Sequence, residues 1–339
     1  MTASTRPLAE LRRDDAAEFG GKSANLGELM VAGVQVPSGF AIAAGTYREF
    51  VQGTGLDGTI AAALTRSDDD ASKAIGEAMR FAPLPEALRA ELSARYSALG
   101  EPPVAVRSSA LGEDGSEATF AGQQESFLWV RGVEHLCDAV RDCWASLHTP
   151  RAIAYRRRLG ATGEAMGVTV QEMVDARVSG VLFTCNPVSG DPSMVAVNAS
   201  WGLGISVVGG ETTPDDYLVS KVTGEVVRRT IASKQVEYVP DATGRGTVRV
   251  EVPAERRDEP CLDDGRLRAL VDVGGRIEAH FGSHQDVEWA IAGDGALLVL
   301  QARPVTANAQ TGPKLSGSAL SLVMSTFGAA PADGDGECR

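Results

Sequence analysis

Two stretches concentrate side chains suited to phosphate and metal chemistry. The first, Val104 to Val130 (VAVRSSALGEDGSEATFAGQQESFLWV), presents Arg107, Ser108 and Ser109 at the end of a short apolar run, followed by Gly122 and Gln123. A guanidinium fork matches phosphate oxygens while hydroxyls donate beside it, and a glycine lets backbone N–H groups approach an anion. An ordinary glycine turn is the alternative for the second part. The later stretch, Asp286 to Pro304 (DVEWAIAGDGALLVLQARP), places Asp286 and Glu288 one residue apart. In a strand both carboxylates then share a face while Val287 and Trp289 point the other way. Two hard oxygen donors on one face suit Mg²⁺, which is held by one or two carboxylates plus phosphates and water. On the following run, Gln301 and Arg303 repeat that spacing and add an oxygen donor and a cation. A solvated strand face is the competing reading, but the apolar run Leu297 to Leu300 beside it argues against surface decoration. Together the two stretches are the parts of a nucleotide triphosphate site.

A third element is Gly20-Gly21-Lys22-Ser23, which opens a helix expected to run to about Ala32 before Gly33 and Pro37. It resembles the end of a Walker A loop, but that motif requires a glycine at position 16, where the chain has Ala16. A P-loop fold is therefore not expected. Alone, the motif also reads as a capped helix with a solvated lysine; beside the other two stretches, Lys22 becomes a phosphate contact. Such a contact at ~4 Å is worth on the order of 4 kcal/mol at an effective dielectric near ~20.

These residues need a scaffold, and 339 residues suffice for two lobes. The pattern is α+β. Mostly helical sequence from Thr46 to Leu99 leads to the strand Val104-Ala105-Val106. Helical spacing of Leu136, Val140, Trp144 and Leu147 follows, and then strand-like runs at Val168 to Val174, Val178 to Thr184, Met194 to Asn198, Asp215 to Ser220 and Glu225 to Ile231. One more amphipathic helix, around Leu267 to Phe281, precedes the metal-bearing strands.

A formal net charge of −13 argues against broad binding to nucleic acid or anionic membrane. No segment has the roughly 20 apolar residues of a membrane helix, and the start lacks the apolar core of a signal peptide, so the expected compartment is the cytoplasm. Five scattered cysteines without a CxxC pair indicate reduced thiols, neither a disulfide framework nor a zinc site.

Several long motifs occur in a familiar order: GGKSANLGELMVAGVQVPSGFAI, VRSSA…EDGSEATFAGQQESFL, VQEMVDARVSGVLFTCNP, WGLGISVVGGETTPDDY, QDVEWAI and LQARPVT. With them the chain resembles the N-terminal ATP-binding module of phosphoenolpyruvate synthase, pyruvate phosphate dikinase and rifampicin phosphotransferase. The resemblance implies an ATP-grasp-like, two-lobed nucleotide-binding fold. The expected lobes are residues 1–165 and 166–306, with 307–339 as a linker-like tail. It implies phosphate contacts from Lys22, Arg107, Ser108 and Arg303, and cover from Gly122 and Gln123. Gln171, Glu172, Met173 and Val174 would form the strand or hinge that meets adenine. Lys234 would make a further nucleotide contact, and Asp286, Glu288 and Gln301 would hold Mg²⁺.

Two departures from the family pattern stand out. Relatives read GLGE where this chain has Gly202-Leu203-Gly204-Ile205, so an apolar side chain replaces a carboxylate. The family also passes phosphate through a histidine in a GGxxSH context on a swivelling domain. None of the four histidines here (His135, His148, His280, His284) has that context, and the chain ends where that domain is expected to begin. The resemblance therefore implies an ATP-activating component that donates a phosphoryl or pyrophosphoryl group to a histidine on a partner protein, for transfer to a small organic acceptor. An autonomous ATP-grasp kinase or ligase and a non-catalytic nucleotide sensor are the alternatives, the latter suggested by Ile205.

Overall fold

A computed structural model describes residues 4–110, 126–159, 165–208, 210–243 and 246–305. The glycine loop with Gly122 and Gln123 and the tail 307–339 lie outside the described residues. The chain divides into two units. The first comprises Met1–Asp175, Pro240–Val248 and Asp294–Arg303, and the second Ala176–Val239, Arg249–Gly293 and Pro304–Arg339. The expected boundary at residue 165 falls too early, because the strand that follows it pairs with strands formed before it, and residues 294–303 return to the first unit.

In chain order the strands of the first unit are β1 (Thr5–Pro7), β2 (Gly39–Ile42), β3 (Val104–Ala110), β4 (Ser126–Val130) and β5 (Met166–Glu172). They form an antiparallel sheet ordered β1-β2-β5-β3-β4. Alternation divides its faces. Phe40, Ile42, Val104, Val106, Val168 and Val170 meet the helical core, which includes Tyr47, Phe50, Leu136, Val140 and Trp144. The opposite face carries Arg107, Thr169 and Gln171, since Arg107 pairs with Thr169 and Ala105 with Gln171. That face receives the helix Gly21–Val31, whose Ser23 Oγ lies 2.7 Å from Thr169 Oγ1. Both β2 and β5 are buried on both faces, but the alternation of Val168, Thr169, Val170 and Gln171 makes β5 legible as a strand, whereas β2 (Gly39–Ile42) shows no such alternation.

The second unit contains β6 (Ala176–Phe183), β7 (Met194–Trp201), β8 (Asp215–Ser220) and β9 (Val226–Thr230). After β10 (Val236–Pro240) and β11 (Thr247–Glu251), the helix Asp264–Phe281 leads to β12 (Gln285–Ala292). Strands β12-β6-β7-β8-β9 run antiparallel in that order. The helix buries Leu267, Leu270 and Ile277 and sets Gly274 against Leu182. This places the helix on the face of Val287 and Leu182, opposite Asp286 and Glu288. The last strand, β13 (Leu297–Pro304), carries Gln301 and Arg303 and lies within the first unit as far as Arg303. No described helix is long and apolar enough to cross a membrane.

Candidate functional site

In the first unit the phosphate-contact candidates converge on the helix Gly21–Val31 and β3. Gly20 precedes the helix at φ 83°, and a Cβ there would lie 2.2 Å from Ser109 Oγ, so only glycine permits this approach of helix to strand. The contact is then fastened: Ser23 N donates to Ser109 Oγ at 3.4 Å, and Lys22 Nζ donates to the Ser108 carbonyl at 3.2 Å. Lys22 is thereby held next to the residue that follows Arg107. Strand alternation corrects one expectation here. Ser109 shares Arg107's face, while the wholly buried Ser108 pairs with Val168 on the core face, so Ser108 offers its carbonyl to Lys22 and its hydroxyl points away from Arg107's face.

β13 brings the two late candidates to the same neighbourhood. Val299 N donates to Gln35 O at 2.8 Å, Asn25 Nδ2 to Ala302 O at 3.4 Å, and Arg107 Nη1 to Leu300 O at 3.5 Å. The backbone on both sides of Gln301 is thus tied to Arg107 and to the helix that carries Lys22. Gln301 is buried and Arg303 half-buried. At the end of β5, the amides of Glu172 and Met173 donate to Ser38 O at 2.8 Å and Pro103 O at 2.9 Å. A base read by the backbone at Gln171, Glu172, Met173 and Val174 must use groups other than those two amides.

In the second unit Asp286 and Glu288 occupy one face of β12, opposite Phe183 and Val181 of β6. Asp286 is buried and Glu288 half-buried, while Val287 and Trp289 are buried on the other side as alternation requires. The donor set fits a hard divalent cation. Among the described residues no group of three or more His, Cys, Asp or Glu forms a metal-holding cluster. Two protein carboxylates on one strand face suit Mg²⁺ completed by phosphate and water.

Lys234 is the clear correction. It is 0% exposed, and its Nζ donates to Asp215 Oδ1 at 2.6 Å and to Ala232 O at 2.8 Å. Asp215, equally buried, also accepts from Ala232 N (3.0 Å), Cys261 N (2.8 Å) and Tyr217 Oη (3.1 Å). Burial, with Asp215 beside it, pushes the Tyr217 phenol well above its ordinary pKa, so it remains a donor. A buried ammonium with these partners is a structural pin and is not available to a nucleotide. A lysine in a short polar run gives no sequence signal of such burial. His284 Nδ1 lies 3.0 Å from Glu278 Oε1, and Glu278 pairs with Lys221 at 2.6 Å.

The chain is similar to known proteins over most of its length. Residues 16–318 match the family described as pyruvate phosphate dikinase, AMP/ATP-binding domain. A probable phosphoenolpyruvate synthase of Methanothermobacter thermautotrophicus is 40% identical over 345 residues, covering 97% of this chain and 50% of its own length. Phosphoenolpyruvate synthase of Pyrococcus furiosus is 36% identical, with 88% of this chain and 43% of its own length covered. Rifampicin phosphotransferase of a Streptomyces species is 41% identical, with 89% of this chain and 36% of its own length covered. The chain thus spans half or less of the length of these relatives. A match over nearly all the described residues establishes that this chain belongs to the pyruvate phosphate dikinase AMP/ATP-binding domain family.

Proposed function

We propose that the chain binds MgATP and serves as the ATP-activating component of a dikinase-like phosphotransferase. The observation that carries this reading is the fastening of Lys22 and β13 around Arg107, which gathers three cationic side chains on one small framework. Phosphoryl transfer depends mainly on positioning and on neutralising charge. Lys22, Arg107 and Arg303 would neutralise and align the phosphates. In the second unit Asp286 and Glu288 would hold Mg²⁺, whose charge would offset that of the phosphates, and in the first Gln301 would offer a further oxygen donor. Gly122 and Gln123 would cover the phosphates, and Gln171 to Val174 would meet the base.

The acceptor in this reading is an imidazole nitrogen on a histidine-bearing swivelling domain of another protein. It attacks a phosphorus of ATP, takes a pyrophosphoryl group and releases AMP. Water takes one phosphoryl group as phosphate, and the remaining one passes to a small organic hydroxyl or enol. The names of the relatives, phosphoenolpyruvate synthase and rifampicin phosphotransferase, support acceptors of that class. The test is to follow nucleotide products from the purified chain with ATP and Mg²⁺, with and without a GGxxSH-bearing protein. AMP formation that depends on that protein is expected. Rapid AMP release without it overturns the split arrangement, and ADP formed with one small molecule and no second protein would instead identify a direct kinase.

A further inference from the structure

The second unit holds a row of residues across its sheet of which the assignments above use only Glu288. Glu288 on β12 pairs with Val181 on β6, Val181 with Asn198 on β7, and Asn198 with Asp216 on β8. Directly opposed residues share a face, so Glu288, Asn198 and Asp216 lie along one line across the sheet. Asn198 is 2% exposed. Its Nδ2 donates to Asp216 Oδ2 at 3.3 Å, and Arg228 Nη2 donates to Asp216 Oδ1 at 2.7 Å. A carboxylate only accepts, so the amide nitrogen is the end that faces it, and Oδ1 is turned away. Among the described residues, Asn198 Oδ1 is buried and has no hydrogen-bond partner. Buried amide oxygens are nearly always paired, so an acceptor oriented this firmly points to a donor that arrives with a ligand.

We propose that Asn198 Oδ1 accepts a hydrogen bond from a water ligand of the Mg²⁺ at Asp286 and Glu288, making Asn198 a positioning residue for the metal. The inference rests on the MgATP reading above. Phosphate oxygens carry no donor at neutral pH, so the triphosphate itself does not satisfy Oδ1, whereas metal-bound water donates. Reach supports the same choice. Two strand spacings separate the Glu288 and Asn198 backbones by about 10 Å. A shared ion spans at most about 4 Å between ligand oxygens at ~2.1 Å each, too short without large lateral displacement of both side chains. An intervening water with a ~2.7 Å hydrogen bond extends the span to about 7 Å.

The experiment uses the full chain and Mn²⁺ in place of Mg²⁺, with metal bound to the protein–ATP complex measured by electron paramagnetic resonance and metal-free ATP binding by calorimetry. Asn198→Leu is expected to weaken Mn²⁺ binding by at least ~10-fold while metal-free ATP affinity stays within about twofold, and Glu288→Gln to weaken Mn²⁺ binding further. Normal Mn²⁺ affinity in Asn198→Leu, with loss in Glu288→Gln, overturns this inference and leaves the MgATP reading intact. Wild-type ATP binding that ignores the metal overturns both. Should Asn198→Leu fail to fold by circular dichroism, Asp216→Asn decides: it keeps the oxygen but removes the group that orients it. A smaller loss of Mn²⁺ affinity is then expected, and unchanged affinity refutes the proposal.

Discussion

Replacing Lys234 with methionine tests whether the residue is a structural pin or a nucleotide ligand. The substitution keeps most of the side chain's length and apolar stem and removes the charge from a site that is 0% exposed on both partners. Asp215 keeps three donors, from Ala232 N, Cys261 N and Tyr217 Oη, but loses its counter-charge. Removing one partner of a buried ion pair costs about 3–5 kcal/mol, and the three retained donors place this case near ~3. Against a total stability of about 5–15 kcal/mol that is a large fraction. With a urea dependence of about 2 kcal/mol per molar, the unfolding midpoint should fall by roughly 1.5 M. The double variant Asp215→Asn/Lys234→Met removes both charges and should recover only part of the loss, because the two backbone amides and the phenol still need an acceptor. Urea unfolding and ATP calorimetry on the same samples separate the roles. An unchanged midpoint with ATP affinity reduced tenfold or more would refute the structural assignment and return Lys234 to the nucleotide.

Two further perturbations probe the scaffold. His148 is buried, with Nε2 hydrogen-bonded to Tyr47 Oη at 2.9 Å and Nδ1 facing Arg156 Nη2 at 3.4 Å; burial first, and then Arg156, lowers its pKa to about 3. The unfolded chain then binds a proton that the folded one does not between pH ~6.5 and ~3, so stability is lost as pH falls through that window. At pH ~5 the loss is about 2 kcal/mol relative to pH ~7, and His148→Gln should abolish that difference in urea unfolding; an unaltered pH dependence would contradict the assignment. Gly180→Ala places a Cβ 1.8 Å from the Asn198 carbonyl oxygen and 2.9 Å from the Trp289 ring. Backbone cannot yield as a side chain does, so a loss above about 3 kcal/mol is expected; a variant within about 1 kcal/mol of wild type by urea unfolding would refute the close packing of β6 on β7.

Much of the site was visible in the amino-acid sequence because it rests on short-range rules. Period-2 alternation assigned Asp286 and Glu288 to one side and Val287 and Trp289 to the other, and the strand register bears this out. The glycine pair before Lys22 marked a helix start where the structure has one. What was not visible depends on register between distant strands. Ser108 and Ser109 look equivalent in sequence, and only the pairing of β3 with β5 separates a core-facing hydroxyl from one on Arg107's face. The burial of Lys234 depends on Asp215, nineteen positions away, as its carboxylate partner. Asn198 carries no local signal at all; its significance comes from a register shared by β12, β6, β7 and β8. The return of residues 294–303 to the first unit is likewise a property of pairing, which composition does not encode.

The hydrogen bond from Asn25 to Ala302 closes a loop of 277 residues, and it sets a timetable for synthesis. At about 5–20 residues per second, roughly 14–55 s separate the emergence of the Lys22 helix from that of the strand that completes its surroundings. Through that interval residues 176–239 and 249–293 of the second unit are translated, while the first lacks the strand bearing Gln301 and Arg303. On the function proposed above, the nascent chain acquires the last of its three candidate phosphate contacts with Arg303, so ATP should not stabilise a ribosome-bound chain until β13 has left the exit tunnel.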